Sequence, residues 1–558
     1  MIQPPRYYLR NSSSTRAPLR IGLLVRSTTR IPAFVAKIIE DIRSSNFARI
    51  ELIVERAAEN WPSTERTSFL YDIYLRRIDV PVKPANDPLS SVDAARPLSE
   101  IEIQKVGDIQ QSGPIQLIRS RNLDVLLSFE FDDVPIHLTA ATRFGVWKLL
   151  PADTDLYRGG PAHFWEMREG SPMTGMTLQA SVADSSQPLV LAKALFATEK
   201  TLSVSRNRYI PHWGSTDLII AKLHELHEHG WDHVLQRVPS AVEYKGKKNH
   251  YKPPTNADVL EWLAPVLLKK AFAFPFRKQM VQHWRIGIRV NGKRLHESQE
   301  DPDFSGFRWL EPPQGHAWAD PFVFEHENKF WAFFEDHSYQ DMKAALACAE
   351  ILPSGEFGPA IICLKKSGGH LSYPHVFKDS SEIFMIPESF ESNSVDLYRC
   401  RKFPDEWVQE SRLLEGKYVD TTVWQNDGLW WLATTSAEPV PGAGFLWLYY
   451  STSLTGEWHF HPENPISTDI RNSRGAGQVF RTKDRLIRPS QSCAPTYGYS
   501  FALNEITELS PQHFAERQLI TVNPDHWKDI AGVHTYNCAG PFEVIDGRAP
   551  VPLSELKV

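Results

Sequence analysis

The sequence predicts two folds in one chain, a Rossmann-type α/β domain followed by a five-bladed β-propeller. Three observations predict this division. Strand and helix patterns alternate early in the chain, a helical and then Pro- and Lys-rich stretch follows, and short β-type segments recur at near-constant spacing towards the end. We therefore expect a flexible N-terminus over residues 1–18, the α/β domain over 19–190, a helical segment and linker over 191–300, and the propeller over 301–558.

The α/β prediction depends on the order of apolar patterns near the start of the chain. Short apolar runs predict strands, and apolar residues that recur on one face at helical spacing predict helices. The predicted strands are residues 20–25, 50–54 and 123–128, and the predicted helices are 31–44 and 69–77. Strand, helix and strand in succession predict a parallel sheet with helical crossovers.

One segment within this domain and the segments after it differ from it in composition. Residues 81–98 are rich in Pro, Ala, Asp and Ser and are expected to form a loop. The pattern turns helical from about 189 to 235, and 238–256 has the Pro and Lys content of a linker. Residues 257–279 predict a further helix.

The propeller prediction depends on a repeated pair of strands. Each unit has a first strand that ends in an aromatic residue, a turn and a second strand, and the aromatic residues Phe324, Phe377, Trp424 and Phe480 are 53, 47 and 56 residues apart. Four strands with their turns need about this length, so each unit predicts one blade. A fifth unit fits residues 533–551, with a turn at 546–547. A β-sandwich is the alternative fold, but it does not explain the constant period.

Composition narrows the function classes. The chain has 558 residues and a net charge of -6, which gives no sign of a nucleic-acid-binding surface. No apolar run approaches the length of a membrane-spanning helix, and the start lacks the apolar stretch of a signal peptide. The five cysteines form no CxxC pair, which favours reduced thiols. We expect a cytoplasmic protein; the oligomeric state stays open.

The candidate chemistry lies where the first strands of the blades would line a central channel. Carboxylates from several blades would meet at its entrance, where one acid can assist a leaving oxygen and another can activate water or an acceptor hydroxyl. The candidate catalytic residues are Asp320, Glu388 and Asp420. The candidate substrate-binding residues are Trp318, Glu335, Tyr373, His375, Arg488, Gln491 and His534. Trp318 and Tyr373 would stack on a sugar ring.

Each of these residues also has a structural interpretation. Asp320 precedes Pro321 and Asp420 precedes Thr421, and aspartates in such positions often cap turns. His316, His375 and His534 are candidates for a metal ion on the channel axis, or for hydrogen-bonded structural histidines. The cysteines have no zinc-type spacing, and the motifs do not support a channel ion or another cofactor.

Seven short motifs in the propeller carry a family resemblance: HAWADPF at 316–322, LSYP at 371–374, IPES at 386–389, LYR at 397–399, VD at 419–420, RP at 488–489 and HT at 534–535. Together they resemble the propeller in the N-terminal region of glucosamine inositolphosphorylceramide transferases. That propeller is similar to the five-bladed arabinanase and β-fructosidase class of glycoside hydrolases. The resemblance implies that Asp320 takes the place of the hydrolase base. The second unit instead begins Tyr373-Pro374-His375 and the third carries Asp420, a departure from the hydrolases; Glu388 is a substitute acid from a different strand.

A second resemblance lies in the N-terminal domain, in GVWKLLP at 145–151, YRGGP at 157–161 and TGMTL at 174–178. These motifs resemble the core of formyltetrahydrofolate-dependent formyltransferases. Aligned to that family, Lys148 takes the place of the catalytic Asn, Leu150 that of the catalytic His, and Asp184 corresponds to the catalytic Asp. The resemblance implies a retained fold with a degenerate site, and the motifs do not support formyltetrahydrofolate as a cofactor.

Three functions follow as hypotheses. The first is a carbohydrate-active enzyme of glycan or glycoconjugate biosynthesis that transfers or cleaves a glycosyl group at the propeller mouth. Its partners would be a sugar, a nucleotide sugar or a glycoconjugate. The second is a non-catalytic glycan-binding scaffold, and the third is an amino-sugar N-formyltransferase with a degenerate active site.

Overall fold

A computed structural model describes residues 14–56, 67–79, 86–107, 109, 111–129, 136–240, 242–273, 280–297, 302–367, 369–442 and 444–556. The chain divides into two compact units, Met1–Phe272 and Ala273–Val558. Most of the predicted flexible N-terminus, residues 1–13, lies outside the described residues.

The first unit is built on a seven-stranded sheet. Its strands in spatial order are Ile103–Val106, Ala48–Arg56, Leu19–Val25, Val125–Ser128, Val146–Leu150, Met173–Ser181 and Leu189–Ala197. The first five strands run parallel, and the last two are antiparallel to their neighbours. A two-stranded ribbon joins Arg30–Pro32 to Ser91–Asp93. The predicted α/β fold with a parallel sheet is confirmed.

Helices cover this sheet, because their apolar side chains recur on one face. In Ala33–Ser44 the side chains of Ile38, Ile39 and Ile42 are fully buried. The helices within the described residues are Ala33–Ser44, Phe69–Arg77, Ser112–Ser120, Ile136–Thr139, Phe164–Glu169, Val204–Asn207, Tyr209–His229, Trp231–Gln236 and Asn256–Ala273. Tyr209–His229 buries most of its length against the first helix and the last two strands of the sheet.

Three sequence predictions in this unit need correction. The stretch predicted as helical from residue 189 begins as the strand Leu189–Ala197, because antiparallel pairing with Met173–Ser181 outweighs the helix propensity of its Leu, Ala and Lys residues. The predicted loop over 81–98 contains the strand Ser91–Asp93, and residues 81–85 lie outside the described part. The helix predicted over 257–279 is Asn256–Ala273, and 274–279 are not described.

The second unit is a five-bladed propeller, as predicted. Blade 1 is His316–His326, Lys329–Ser338, Lys343–Ile351 and Ile361–Leu364. Blade 2 is Ser372–Asp379, Glu382–Glu388, Ser394–Lys402 and Glu406–Glu415. Blade 3 is Tyr418–Asn426, Leu429–Ser436, Leu446–Ser451 and His459–Phe460. Blade 4 is Arg474–Gly475, Phe480–Thr482, Arg485–Ser492, Ser500–Leu509 and Phe514–Val522.

Blade 5 joins the two ends of the unit. Its inner strands are Tyr536–Ala539 and Phe542–Pro552, and its outer strands are Met280–Val290 and Arg308–Leu310. Met280 pairs with Pro552, and the register continues without a break to Val290 opposite Phe542. Hydrogen bonds between distant parts of the sequence therefore complete blade 5 and close the ring.

This closure changes two sequence predictions. The propeller begins before the predicted boundary at residue 301, because the expected linker contains the strand Met280–Val290. The predicted turn at 546–547 lies inside the strand Phe542–Pro552, and the chain turns instead between Ala539 and Phe542. A strand whose partner lies more than 250 residues away gives little local signal.

Apolar faces of neighbouring blades form the propeller core. Phe333 and Leu346 of blade 1 pack with Val376 and Met385 of blade 2, and Ala332 and Phe334 on the opposite face pack towards blade 5. The two faces of the strand Lys329–Ser338 therefore serve two different interfaces, as its alternating side chains require.

The structure also bears on two compositional expectations. Within the described segments, we find no helix that combines the length and apolar character needed to cross a bilayer. All five cysteines lie in described segments and are free thiols.

We expect Ile286→Ala to lower the free energy of unfolding of the propeller by about 2–5 kcal/mol, because Ile286 is fully buried between the first and last blades. Chemical denaturation monitored by tryptophan fluorescence measures the change. Ile362→Ala, at a site that is 49% exposed in blade 1, serves as the control and should cost less than about 0.5 kcal/mol. Equal small effects would mean that residues 280–290 are a linker rather than a blade strand.

Candidate active site of the propeller

The inner strands of blades 1, 2 and 3 carry the same irregularity at the same place. Pairing with the second strand slips between Ala319 and Phe322, between Ser372 and His375, and between Val419 and Thr422. Inside each slip one residue adopts a left-handed backbone: Asp320 with φ 50°, Tyr373 with φ 46° and Asp420 with φ 51°. Such a conformation costs a non-glycine residue about 1–3 kcal/mol. The bulge redirects one side chain, so three blades deliver Asp, Tyr and Asp to equivalent positions.

Asp320 is held by groups from blades 2 and 5. Its Oδ1 accepts a hydrogen bond from the Thr535 hydroxyl at 2.9 Å, and its Oδ2 accepts one from the Tyr373 backbone N–H at 3.3 Å. Its own backbone N–H donates to Oδ2 of Asp546 at 3.0 Å. The carboxylate is 7% exposed. Burial, together with the nearby carboxylates of Glu335 and Asp546, raises the pKa of Asp320 to about 7, although His534 opposes the rise.

His534 lies between two carboxylates. Its Nδ1 is 2.6 Å from Oδ2 of Asp546, and its Nε2 is 3.6 Å from Oδ1 of Asp320. The ring stacks on Trp284 with 4.2 Å between centroids. Burial alone would lower the pKa of His534, but the two carboxylates outweigh it and raise that pKa to about 9. The imidazolium in turn lowers the pKa of Asp546 in spite of burial.

Glu388 and Asp420 form an acidic pair near Asp320. The backbone N–H of Asp420 donates to Oε2 of Glu388 at 3.1 Å, and Oδ2 of Asp420 accepts from Nε of Arg474 at 2.5 Å. The Arg474 guanidinium lies over the Tyr497 ring, 5.0 Å from its centroid. Burial and the Asp420 charge raise the pKa of Glu388 well above its ordinary value. Glu388 is therefore protonated at a pH at which an ordinary glutamate is ionised.

This arrangement has the chemistry of general acid–base catalysis. Glu388 carries a proton that it can donate, and Asp320 titrates in the neutral range, where it can accept one. The three carboxylate side chains come from blades 1, 2 and 3. Carboxylates whose environments give them different protonation states suit glycoside chemistry.

Several predicted substrate-binding residues instead have structural roles. Trp318 is buried among Phe334 and Phe357 between blades 1 and 5, so its ring does not face the channel. His375 is fully buried, its Nε2 contacts the Val423 carbonyl at 3.0 Å, and burial lowers its pKa to about 4. Neither ring is free to stack on a sugar.

Tyr373 occupies the channel but is already fully bonded. Its hydroxyl accepts from the Gly477 backbone N–H at 2.7 Å and lies 2.9 Å from the Thr422 hydroxyl. The ring is 1% exposed and packs edge-on against Phe322. The expectation that Tyr373 stacks on a sugar is wrong; its side chain connects blades 2, 3 and 4.

The two blade 4 candidates are also bonded within the protein. Arg488 binds Glu516 with two hydrogen bonds of 2.7 Å, and Gln491 accepts from the Cys493 thiol at 2.8 Å. Both side chains are 2% exposed, so neither is available to a substrate. By contrast, Glu335 and His534 lie beside Asp320 as predicted.

The opposite end of the channel opens into a cavity of about 750 Å³ that all five blades line. Gln478 and Trp424 belong to this cavity, not to the end that holds Asp320. Gln478 therefore lies away from the carboxylates. Gln478 follows Gly477 in the gap between the blade 4 strands Arg474–Gly475 and Phe480–Thr482. There the chain leaves the acidic cluster.

Sequence reasoning missed four residues of the site: Arg474, Tyr497, Thr535 and Asp546. Asp546 was assigned to a turn because it precedes Gly547, and Arg474 and Tyr497 come from blade 4 segments without a repeat signal. The sequence shows the HT motif at 534–535, but the motif predicts a binding role for His534 alone. Buried charge pairs of this kind leave no spacing signature, because their partners are distant in sequence.

The N-terminal unit does not bring its three predicted residues together. Lys148 and Leu150 lie in the strand Val146–Leu150, with Leu150 at its carboxyl end. Ser181 pairs with Val146, so the chain that continues to Asp184 passes the amino end of that strand. Asp184 is exposed in the turn there. The three positions assigned by resemblance therefore do not form one site.

A different buried polar group lies in this unit. His163 is 1% exposed with a left-handed backbone, and neither of its ring nitrogens has a hydrogen-bond partner. Its Nδ1 is 3.8 Å from Glu166, and its ring meets the His212 ring at 5.3 Å. The His212 ring contacts the ring of Phe34, which is the second residue of the helix Ala33–Ser44. Burial lowers the pKa of His212 well below its ordinary value. Sequence reasoning did not single out this cluster.

Fold and site together define a class: a five-bladed propeller with acidic residues from blades 1, 2, 3 and 5 at one mouth. Residues 314–539 match the family model described as "Glucosamine inositolphosphorylceramide transferase 1, N-terminal". The propeller resemblance stated from the sequence motifs is thereby confirmed. This matched segment is less than half of the chain.

One curated relative is glucosamine inositolphosphorylceramide transferase 1 of Oryza sativa subsp. japonica. It is 34% identical over 202 residues, which is 36% of this chain and 27% of that protein. The chain thus spans about a quarter of the length of that relative.

Two solved structures are among those similar to this chain. A phosphoribosylglycinamide formyltransferase from Bacillus halodurans covers 38% of this chain and 97% of its own, with 13% identity and a TM-score of 0.27. The exo-β-1,3-galactanase 1,3Gal43A from Clostridium thermocellum covers 42% of this chain and 60% of its own, with 12% identity and a TM-score of 0.30.

We expect His534 to titrate near pH 9, and Asp546→Asn to lower that pKa, because the variant removes the adjacent negative charge. Since the pKa of His534 is raised above 6.5, its protonation stabilises the fold fully below pH 6.5, and this contribution is lost as the pH rises through 9. NMR of protein labelled at histidine nitrogens, with His534→Gln for assignment, measures the titration. Asp336→Asn, beside His316, is the control and should leave His534 unchanged. An ordinary pKa near 6.5 in the wild type would contradict the buried ion cluster.

Proposed function

We propose that the propeller is a carbohydrate-active enzyme that transfers or cleaves a glycosyl group of a glycoconjugate at its acidic mouth. One observation carries this proposal. Carboxylates from three blades meet there in environments that raise the pKa of Asp320 to about 7 and that of Glu388 well above its ordinary range. Perturbed acids of this kind cluster at catalytic sites.

The roles follow from the charges. Glu388 is the general acid, since burial and the charge of Asp420 keep it protonated. Asp320 is the base, positioned by Thr535 and by the Tyr373 backbone N–H. Asp420 acts through Glu388 and is itself oriented by Arg474. Asp420 is thus a positioning residue that modulates the pKa of the acid.

The relatives support the substrate class. The rice relative is named glucosamine inositolphosphorylceramide transferase 1. We infer that this chain acts in glycan or glycoconjugate biosynthesis on a sugar, a nucleotide sugar or a glycoconjugate. We also propose a cytoplasmic location, which the five free thiols support.

We expect Asp320→Asn and Glu388→Gln each to lower kcat roughly 10²- to 10⁴-fold, because each removes one proton-transfer group. The assay incubates the full chain with panels of nucleotide sugars, glycosylinositol acceptors and aryl glycosides, and mass spectrometry identifies products. Asp336→Asn is the matched control, since Asp336 lies in the same blade and pairs with His316 instead. Unchanged turnover in either of the first two variants would overturn the assigned roles.

A non-catalytic glycan-binding scaffold is the second candidate function. This function is favoured by the hydrogen bonds that Asp320 and Tyr373 already form within the protein. Calorimetric titration with the same glycans, followed by overnight product analysis, separates the two functions. Binding without product would favour the scaffold over the enzyme.

We further expect no formyl transfer by the N-terminal unit, because Leu150 offers no imidazole and Asp184 lies beyond the opposite, amino end of the strand Val146–Leu150. The check is to incubate the protein with formyltetrahydrofolate and nucleotide amino sugars and to search for formylated product. A formylated amino sugar would contradict the expectation and favour the N-formyltransferase function.

A further inference from the structure

A second group of ionisable side chains lies at the mouth, on the strand Lys329–Ser338 of blade 1. Alternate residues of a strand share a face, so Glu335 and His337 extend the face on which Phe333 packs against blade 2. Asp336 lies on the opposite face and pairs with His316 at 2.7 Å. The face towards blade 2 therefore presents a carboxylate and an imidazole side by side.

Blade 2 contributes a third side chain to this face. His370 lies in the segment that enters blade 2, next to the buried Leu371 of the interface between the two blades. Its Nε2 is 3.2 Å from Oε1 of Glu335. One ligand atom from each of Glu335, His337 and His370 falls within 4.8 Å of the others. The rings of His337 and His370 have centroids 6.1 Å apart.

The spacing of these atoms fits a bound cation. In zinc sites the imidazole nitrogen and the carboxylate oxygen each lie about 2.0–2.2 Å from the metal, so two such ligands at a tetrahedral angle are about 3.3 Å apart. The distance of 3.2 Å between Glu335 and His370 agrees with this value.

The charges at the cluster also suit a divalent cation. Asp341 and Asp336 near His337 and Glu391 near His370 add negative potential.

We propose that Glu335, His337 and His370 bind a divalent transition-metal ion of the zinc type, with the fourth position open to water or to a substrate oxygen. Two imidazoles and one carboxylate are a donor set that favours zinc and its neighbours over calcium and magnesium, which prefer oxygen ligands. The three side chains are partly exposed, so an ion can enter from solvent.

The site would have two consequences for the propeller. The ion would connect the second strand of blade 1 to the entry of blade 2. It would also place a positive charge beside Asp320, whose pKa Glu335 helps to raise. Metal binding is independent of the proposed glycosyl chemistry, so either can fail without the other.

The test uses the full-length protein, treated with a chelator and then dialysed, and titrated with zinc chloride at pH 7 in a calorimeter. We expect one ion to bind per chain, with affinity at least tenfold weaker in Glu335→Gln and in His337→Ala. Calcium and magnesium chloride should give no comparable binding. Circular dichroism melting of each variant confirms that the fold is kept.

His316→Ala is the matched control, because it removes an imidazole that pairs with a carboxylate on the opposite face of the same strand. It should bind zinc as tightly as the wild type. Absence of binding in the wild type, or equal binding in Glu335→Gln and His337→Ala, would overturn the proposal. Equal weakening by His316→Ala would also overturn it, since binding would then reflect surface histidines in general.

Discussion

The buried carboxylate of Asp546 connects the closure of the ring to the charge of the site. Its Oδ1 accepts the backbone N–H groups of His534 and Thr535, and its Oδ2 accepts the backbone N–H of Asp320. These bonds join the last blade to the bulge of the first. A fully buried carboxylate needs this number of partners, because an unpaired charge would be costly to bury. The same residue pairs with His534 and so sets the protonation of the ring that faces Asp320.

The bulges of blades 1, 2 and 3 show how a repeated fold makes a site. A regular strand would point its side chains alternately into the two blade interfaces, where apolar residues already fill the space. The left-handed residue within each bulge turns one side chain towards the channel instead. The backbone strain at Asp320, Tyr373 and Asp420 is offset by the hydrogen bonds that these residues form between blades. The geometry of the candidate site and the contacts between blades thus depend on the same three positions.

The acidic mouth separates its carboxylates by environment. Asp546 has a protonated histidine as a partner and stays ionised, whereas Glu388 faces the charge of Asp420 and holds its proton. The pKa of Asp320 lies between those of Asp546 and Glu388, because the imidazolium of His534 favours the ionised form of Asp320 and burial favours its protonated form. Aspartate and glutamate with similar ordinary pKa values therefore take different protonation states within one pocket.

The fold class could be predicted from the sequence, because blade period and strand–helix alternation are local patterns that burial imposes along the chain. The candidates Asp320, Glu388, Asp420 and His534 could be predicted too, since they lie at repeated positions or in recognisable motifs. Which polar residues reach the site depends on the three-dimensional packing. Trp318, His375, Arg488 and Gln491 have residue types that suit a binding site, but packing encloses each of them. Asp546, Arg474 and the strand Met280–Val290 acquire their roles from partners far away in sequence, and such long-range pairing leaves no local pattern from which to predict it.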